Sequence, residues 1–133
     1  MAIDKVLAFA TVGELGAALR DGAFSAVQLA EFFLERLDRL GREYNCVVNV
    51  TRQRALDQAR RADQELKDGT DRGPLHGIPF GVKDLIAAKG YPTTWGAGPL
   101  KDRVIDKDAA VVTRLESAGA VLVAKLSMVT FAG

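Results

Sequence analysis

The sequence predicts an α/β fold in which a helical arm precedes the start of a sheet, and three observations predict it. Apolar residues recur at helical spacing through the first half of the chain. After a polar loop, KDGTDRGP from Lys67 to Pro74, the pattern changes to strand, long loop, helix, strand. The last of these strands, AVLVAKL from Ala120 to Leu126, is apolar without alternation, as a strand buried on both faces should be. At 133 residues the chain lies within the range of one domain, residues 1–133, divided into a mainly helical arm (1–70) and the opening of a sheet (71–133).

The elements follow in order. TVGE (Thr11 to Glu14) and SAVQ (Ser25 to Gln28) both have capping-box spacing, in which a hydroxyl and the N3 side chain satisfy each other's exposed amides, so a helix starts at each. The first is short and stops near Gly22. The second carries Leu29, Phe33, Leu37 and Leu40 on one stripe, with Gly41 as the residue that ends it. CVVNV (Cys46 to Val50) is a short β-branched strand in which Cys46 is expected to be buried and inert. Ala55, Leu56, Ala59, Ala62 and Leu66 then define a third helix ending near Gly69.

Beyond the loop, GIPFGVKD (Gly77 to Asp84) reads as a strand, with Pro79 marking an irregular start or a sheet edge. Asp108 is the expected N-cap of a helix that buries Val112 and Leu115 and ends at Gly119. With AVLVAKL directly after it, the unit is β-loop-α-β, whose crossover should be right-handed and whose strands should be parallel. Such a pair needs further strands and covering helices, yet the chain runs only seven residues past Leu126. The expectation is an N-terminal piece of a larger domain, or a sheet completed by a partner, a homo-oligomer included.

Composition narrows the function. Eighteen Lys and Arg against seventeen Asp and Glu leave a formal net charge of +1, which gives no footprint for direct nucleic-acid or anionic-membrane binding and favours a small-molecule partner. One cysteine excludes an intrachain disulfide, and one histidine leaves no Cys/His cluster for a metal. No phosphate-binding lysine loop or dinucleotide fingerprint occurs, so no cofactor is expected. The opening MAIDKVLAFATVG, with Asp4 and a short apolar stretch, does not fit a signal peptide, and no run is long enough to span a membrane. A reducing, cytoplasmic setting follows.

Lys83 is the candidate catalytic residue. It stands at the carboxyl end of a strand in a parallel unit, where ligands gather, with the glycine-rich loop Gly90 to Gly98 after it. A lysine acts as a base only when neutral, and desolvation is the usual route. Asp84 opposes this by holding a neighbouring ammonium charged, although strand alternation sends the two side chains to opposite faces. The competing reading is a solvated strand-end lysine or a surface Lys-Asp pair.

GPLHGIPFGVKD, then YPTTWGAG, then DAAVVTRLESAGAVLVAKLSM, with RALDQARRAD ahead of them, resemble the N-terminal part of the amidase signature family. The resemblance implies an α/β/α sandwich on a mixed central sheet, of which this chain holds the N-terminal part of a single amidase domain. It also implies hydrolysis of a carboxamide C–N bond by a Ser, cis-Ser, Lys triad, with the lysine at Lys83 and a small-molecule amide as substrate. The family's glycine-flanked serine stretch has no counterpart here. Of Ser25, Ser117 and Ser127, the first is a cap, the second lies in a last helical turn and the third lacks flanking glycines, so these 133 residues alone are expected to be inactive. LSM replaces the family's Thr-Asn-Met; Met128 keeps the family residue and is a substrate-binding candidate, with core packing the alternative.

Other residues are weighed the same way. Lys125 occupies a family lysine position without an assignable chemical role, and a structural contact is at least an equal reading. Thr93, Thr94 and Trp95 either shape the loop over the site or touch substrate. A Cys46 and His76 dyad lacks a third group to orient the imidazole. Two further functions stay open: the glutamine-hydrolysing A component of an aspartyl/glutamyl-tRNA amidotransferase, and a noncatalytic scaffold or binding module.

Overall fold

The computed structural model describes residues 5–133; Met1 to Asp4, including the Asp4 used to argue against a leader, lie outside the described residues. Four helices and three strands follow a 3-10 turn at Lys5–Phe9: α1 (Val12–Arg20), α2 (Ala26–Glu43), β1 (Val47–Val50), α3 (Arg52–Lys67), β2 (Pro79–Lys83), α4 (Ala110–Ser117) and β3 (Val121–Leu126). The strands form one mixed sheet in the order β1-β3-β2, with β2 parallel and β1 antiparallel to β3. The α/β class and the parallel β2-β3 pair are as expected, and Pro79 opens an edge strand, where its missing N–H breaks no ladder.

Both capping boxes form. The Thr11 hydroxyl accepts from the Glu14 amide while Glu14 accepts from the Thr11 amide, and Ser25 and Gln28 repeat the arrangement. Asp63 of α3 adds a second cap to α2, accepting from the Ala26 and Val27 amides at 2.6 and 3.1 Å. That contact places a carboxylate at the positive end of the helix dipole.

Two helix ends depart from expectation. Helix α2 does not stop at Gly41 but runs to Glu43, and Asn45, at φ 51°, takes the left-handed position. Its amide bonds the Arg42 carbonyl and that of Cys46 bonds the Gly41 carbonyl, a Schellman closure with asparagine in the glycine role. Gly41 serves packing instead: a Cβ there would lie 2.6 Å from Val47 Cγ2. Asp108 is not the N-cap of α4; that residue is Ala109, and no side chain caps the helix. The Asp108 carboxylate is held instead by Arg54 at 2.8 Å on both oxygens, and it accepts the Lys89 amide.

Two cores flank the sheet. Helices α1, α2 and α3 pack Leu19, Leu29, Leu34, Ala55 and Ala59 against Ile78, Val121 and Val123 on one face. Val82, Leu122, Ala88 and Val112 of α4 close the other. The third helix is tied directly to β3, because the buried Thr51 hydroxyl donates to the Leu122 carbonyl and Gln58 Oε1 accepts the Leu122 amide.

Register matters most at the end of β3. Phe80 pairs with Leu122 but Gly81 with Ala124, so Val123 is an extra residue on β3. A one-residue bulge reverses the alternation beyond it. Lys125 therefore stands in register with Val82, on the face toward which Asp84 also points, and Leu126 pairs with Lys83. The Leu126 side chain confirms the reversal, lying over Gly81, where a Cβ would meet it at 3.0 Å.

Candidate functional site

Lys83 is the last residue of β2, at the carboxyl end that the parallel strands share. Its side chain is exposed, and no ion pair or hydrogen bond engages its ammonium among the described residues. Its backbone is fixed: the Ile86 amide bonds the Lys83 carbonyl at 2.9 Å and the Asp84 amide bonds the Leu126 carbonyl at 2.8 Å. The next residue is its opposite in every respect, since Asp84 is completely buried.

The sequence did not reveal what Asp84 meets. Lys125, also completely buried, donates to Asp84 Oδ1 at 2.9 Å, to the Pro92 carbonyl at 3.0 Å and to Thr93 Oγ1 at 3.0 Å. An ammonium has three protons, and all three are used. Asp84 Oδ2 accepts the Thr94 amide at 3.2 Å and the Thr94 hydroxyl. Both charges are thereby paired and hydrogen-bonded, the condition under which a buried ion pair is tolerated. The structural contact read for Lys125 is this one. Thr93 and Thr94 are loop-shaping residues, bound to the pair from within the fold.

The pair sets the course of the loop after β2. Its partners lie at Pro92, Thr93 and Thr94, and Trp95 follows with φ 52°, a left-handed conformation that costs a bulky residue on the order of 1 kcal/mol or more. The indole is held from two sides, with the Arg103 guanidinium 4.1 Å from a ring centroid and Phe131 edge-on at 6.4 Å. The segment after β3 closes over this loop. The Phe131 amide bonds the Trp95 carbonyl and the Thr130 hydroxyl the Gly96 carbonyl. Gly96 permits the approach, because a Cβ would lie 2.8 Å from the Met128 carbonyl. Met128 is half-buried in this segment, two residues beyond the strand partner of Lys83.

The remaining candidates lie elsewhere. Cys46 is exposed, not buried, because β1 begins only at Val47. It sits beside the carboxyl end of β3, where the Ser127 amide bonds its carbonyl, whereas His76 precedes β2 at the other end. The strands thus separate the imagined dyad. His76 is completely buried, and its Nδ1 accepts the Arg72 amide at 3.0 Å, so Nε2 carries the proton. Nε2 lies 2.9 Å from Glu65 Oε2, a close contact without hydrogen-bond alignment. Ser25 caps α2; Ser117 ends α4, its hydroxyl on the Thr113 carbonyl; Ser127 is exposed.

Charges away from the site brace the scaffold. The Arg20 guanidinium at 2.7 Å, helped by the Gly73 amide, lowers the Asp71 carboxyl to about 2. Arg54 holds Asp108 below the usual range. At Glu116 burial works upward, yet the hydrogen bonds of Arg61 and Arg54 outweigh it and the carboxyl stays low. The Arg54 and Arg61 pairs tie α3 to α4 and to the loop before it, and Arg20 ties α1 to the segment after α3. A concavity of about 660 Å³ among α1, α2 and α3 is lined by Phe24, Gln28, Asp63 and Leu66 and by none of the strand-end residues, so chemistry and not cavity size locates the site. Among the described residues no cluster of acids, histidines or cysteines could hold a metal, and no helix is long and apolar enough to cross a membrane.

Residues 28–133 match the sequence model of the Amidase family. The chain is 43% identical over 122 residues to the A component of the glutamyl-tRNA(Gln) amidotransferase of Methylococcus capsulatus, covering 92% of this chain and 25% of that one. It is 34% identical over 112 residues to an acylamidase of Rhodococcus erythropolis, covering 84% and 24%. Among solved structures, native peptide amidase from Stenotrophomonas maltophilia superimposes with a TM-score of 0.84 at 36% identity, over 90% of this chain and 25% of that one. The chain thus spans about a quarter of the length of the relatives it matches.

Proposed function

This chain belongs to the amidase family, and on that premise we propose that it forms the N-terminal part of an enzyme that hydrolyses a small-molecule carboxamide C–N bond. Lys83 supplies the base. The observation that carries the reading is its place: an ammonium unengaged among the described residues at the carboxyl end of β2, with the loop 93–97 and the Met128 segment gathered at that same end. In the reading, two serines from sequence outside these 133 residues complete a Ser, cis-Ser, Lys triad. The neutral lysine takes the proton of the bridging serine, which takes that of the nucleophile as it attacks the carbonyl. Backbone amides hold the oxyanion, protonation of the leaving nitrogen reverses the relay and leaves an acyl-serine ester, and water activated through the same relay then cleaves that ester to release the acid and the free serine.

Lys83 is exposed in this chain, so the desolvation that makes it a base comes from the segments that cover it in the complete enzyme. Met128, half-buried at the site's edge, contributes an apolar contact to substrate. The reading includes a cytoplasmic protein that needs no cofactor. Its test is ammonia release from simple carboxamides by the complete protein. Substantial turnover by residues 1–133 alone, abolished by Lys83→Ala, would overturn the division of the triad.

A second reading has its own support, the 43% identity to the A component of a glutamyl-tRNA(Gln) amidotransferase. In that case the amide is that of glutamine and the ammonia passes to a partner protein. Glutamine-dependent ammonia release that rises when a partner is added favours it; turnover of simple amides without one favours hydrolysis.

A further inference from the structure

The Lys83 base has a carboxylate as its immediate neighbour, and a free carboxylate there would hold the ammonium charged. The structure supplies the counter-charge. We infer that Lys125 is an electrostatic positioning residue, whose buried ammonium neutralises Asp84 so that Lys83 can lose its proton. This deepens the amidase reading and rests on it for its catalytic meaning, though not for its electrostatics.

Three observations support it. Asp84 and Lys125 are both without solvent exposure and lie 2.9 Å apart, so neither charge is screened by water and each finds its compensation in the other. The bulge at Val123 puts Lys125 on the Asp84 face; without the extra residue it would point with Lys83 and leave Asp84 unpaired. Thr94 adds two further hydrogen bonds, both to Asp84 Oδ2, so the carboxylate is held from within the fold on both oxygens. The residue after Lys83 is Asp84, and on β3 the register partner of Lys83 is the apolar Leu126, with Lys125 one position earlier opposite Val82. No carboxylate lies within ion-pair distance of the Lys83 ammonium among the described residues.

A lysine placed for structure alone would affect folding and leave the titration of Lys83 where it was. The measurement is therefore the pH dependence of Lys83 acetylation by a water-soluble succinimidyl ester at trace concentration. It is read by mass spectrometry on the Lys83 peptide in the full chain, which gives the titration midpoint without any substrate. Lys125→Met should raise the midpoint by about one pH unit, the size expected for one uncompensated neighbouring charge. Asp84→Asn with Lys125→Met carries no lone charge and should return it to within about 0.3 unit of the parent. If Lys125→Met does not fold, Lys125→Gln replaces it, keeping donors for Pro92 and Thr93 while removing the charge. An unmoved midpoint in the folded single variant, or the same shift in single and double, overturns the inference. Failure of the amidase reading is a separate result: Lys83→Ala would leave amide turnover intact while these midpoints behaved as stated.

Discussion

Breaking the Asp84 and Lys125 pair from one side should cost far more than removing both charges. Lys125→Met deletes three hydrogen bonds and leaves Asp84 buried, with only the two bonds from Thr94 to offset its desolvation. Losing one partner of a fully buried ion pair costs about 3–5 kcal/mol. With a urea dependence of about 2 kcal/mol per molar, the unfolding midpoint falls by about 1.5–2.5 M. Asp84→Asn should fall comparably, because it strands the ammonium. The double variant strands no charge and should be less destabilised than the sum of the two by about 2 kcal/mol or more, a coupling that only contacting groups show. Trp95 reports the transition, since the loop that carries it is bound to the pair and its ring is stacked on Arg103. A midpoint drop below about 0.5 M in either single variant, or additivity in the double, would show that the pair does not stabilise this end of the sheet.

Three smaller perturbations test the scaffold. Gly119→Ala places a Cβ 2.3 Å from His76 Cδ2 at a φ of 83°, and overpacking plus left-handed strain should lower stability by about 2–4 kcal/mol in urea unfolding. Ser25→Ala removes the α2 cap at a cost of about 1 kcal/mol, with the Asp63 contacts left to hold the helix end. Asp71 is lowered from 3.8 to about 2, so its contribution to stability is complete above about 3.8 and is lost as pH falls toward about 2. Asp71→Asn should abolish that component of the acid-side decline, and a carboxyl NMR titration of Asp71 with a midpoint near 3.8 would refute the Arg20 pairing.

What could be read in advance was what local rules decide. Thr11 with Glu14 and Ser25 with Gln28 are three residues apart, and their capping boxes needed no tertiary information. A strand within Gly77 to Asp84 and its parallel partner followed from the β-loop-α-β order, and Pro79 offered the edge position as one of two readings, the other an irregular start. Long-range contacts decided the rest. Gly41 looks like a helix terminator, but the terminator is Asn45, and the glycine is there because Val47 packs against it. Asp108 has the chemistry of a cap, yet Arg54, 54 residues earlier in the chain, claims its carboxylate. Cys46 continues a β-branched run but falls just outside the strand that run forms. The Lys125 and Asp84 pair was the most hidden, because strand alternation counted from AVLVAKL alone cannot place the bulge at Val123. That one residue decides which face the lysine takes.

The most direct test is the turnover number for ammonia release from a carboxamide by the complete protein, with Lys83→Ala compared with the parent. Loss of the base should lower kcat by about a thousand-fold or more, with KM little changed and the fold intact by circular dichroism. A Lys83→Ala protein that is folded and turns over amide at the parental rate would contradict the assignment of Lys83 as the base.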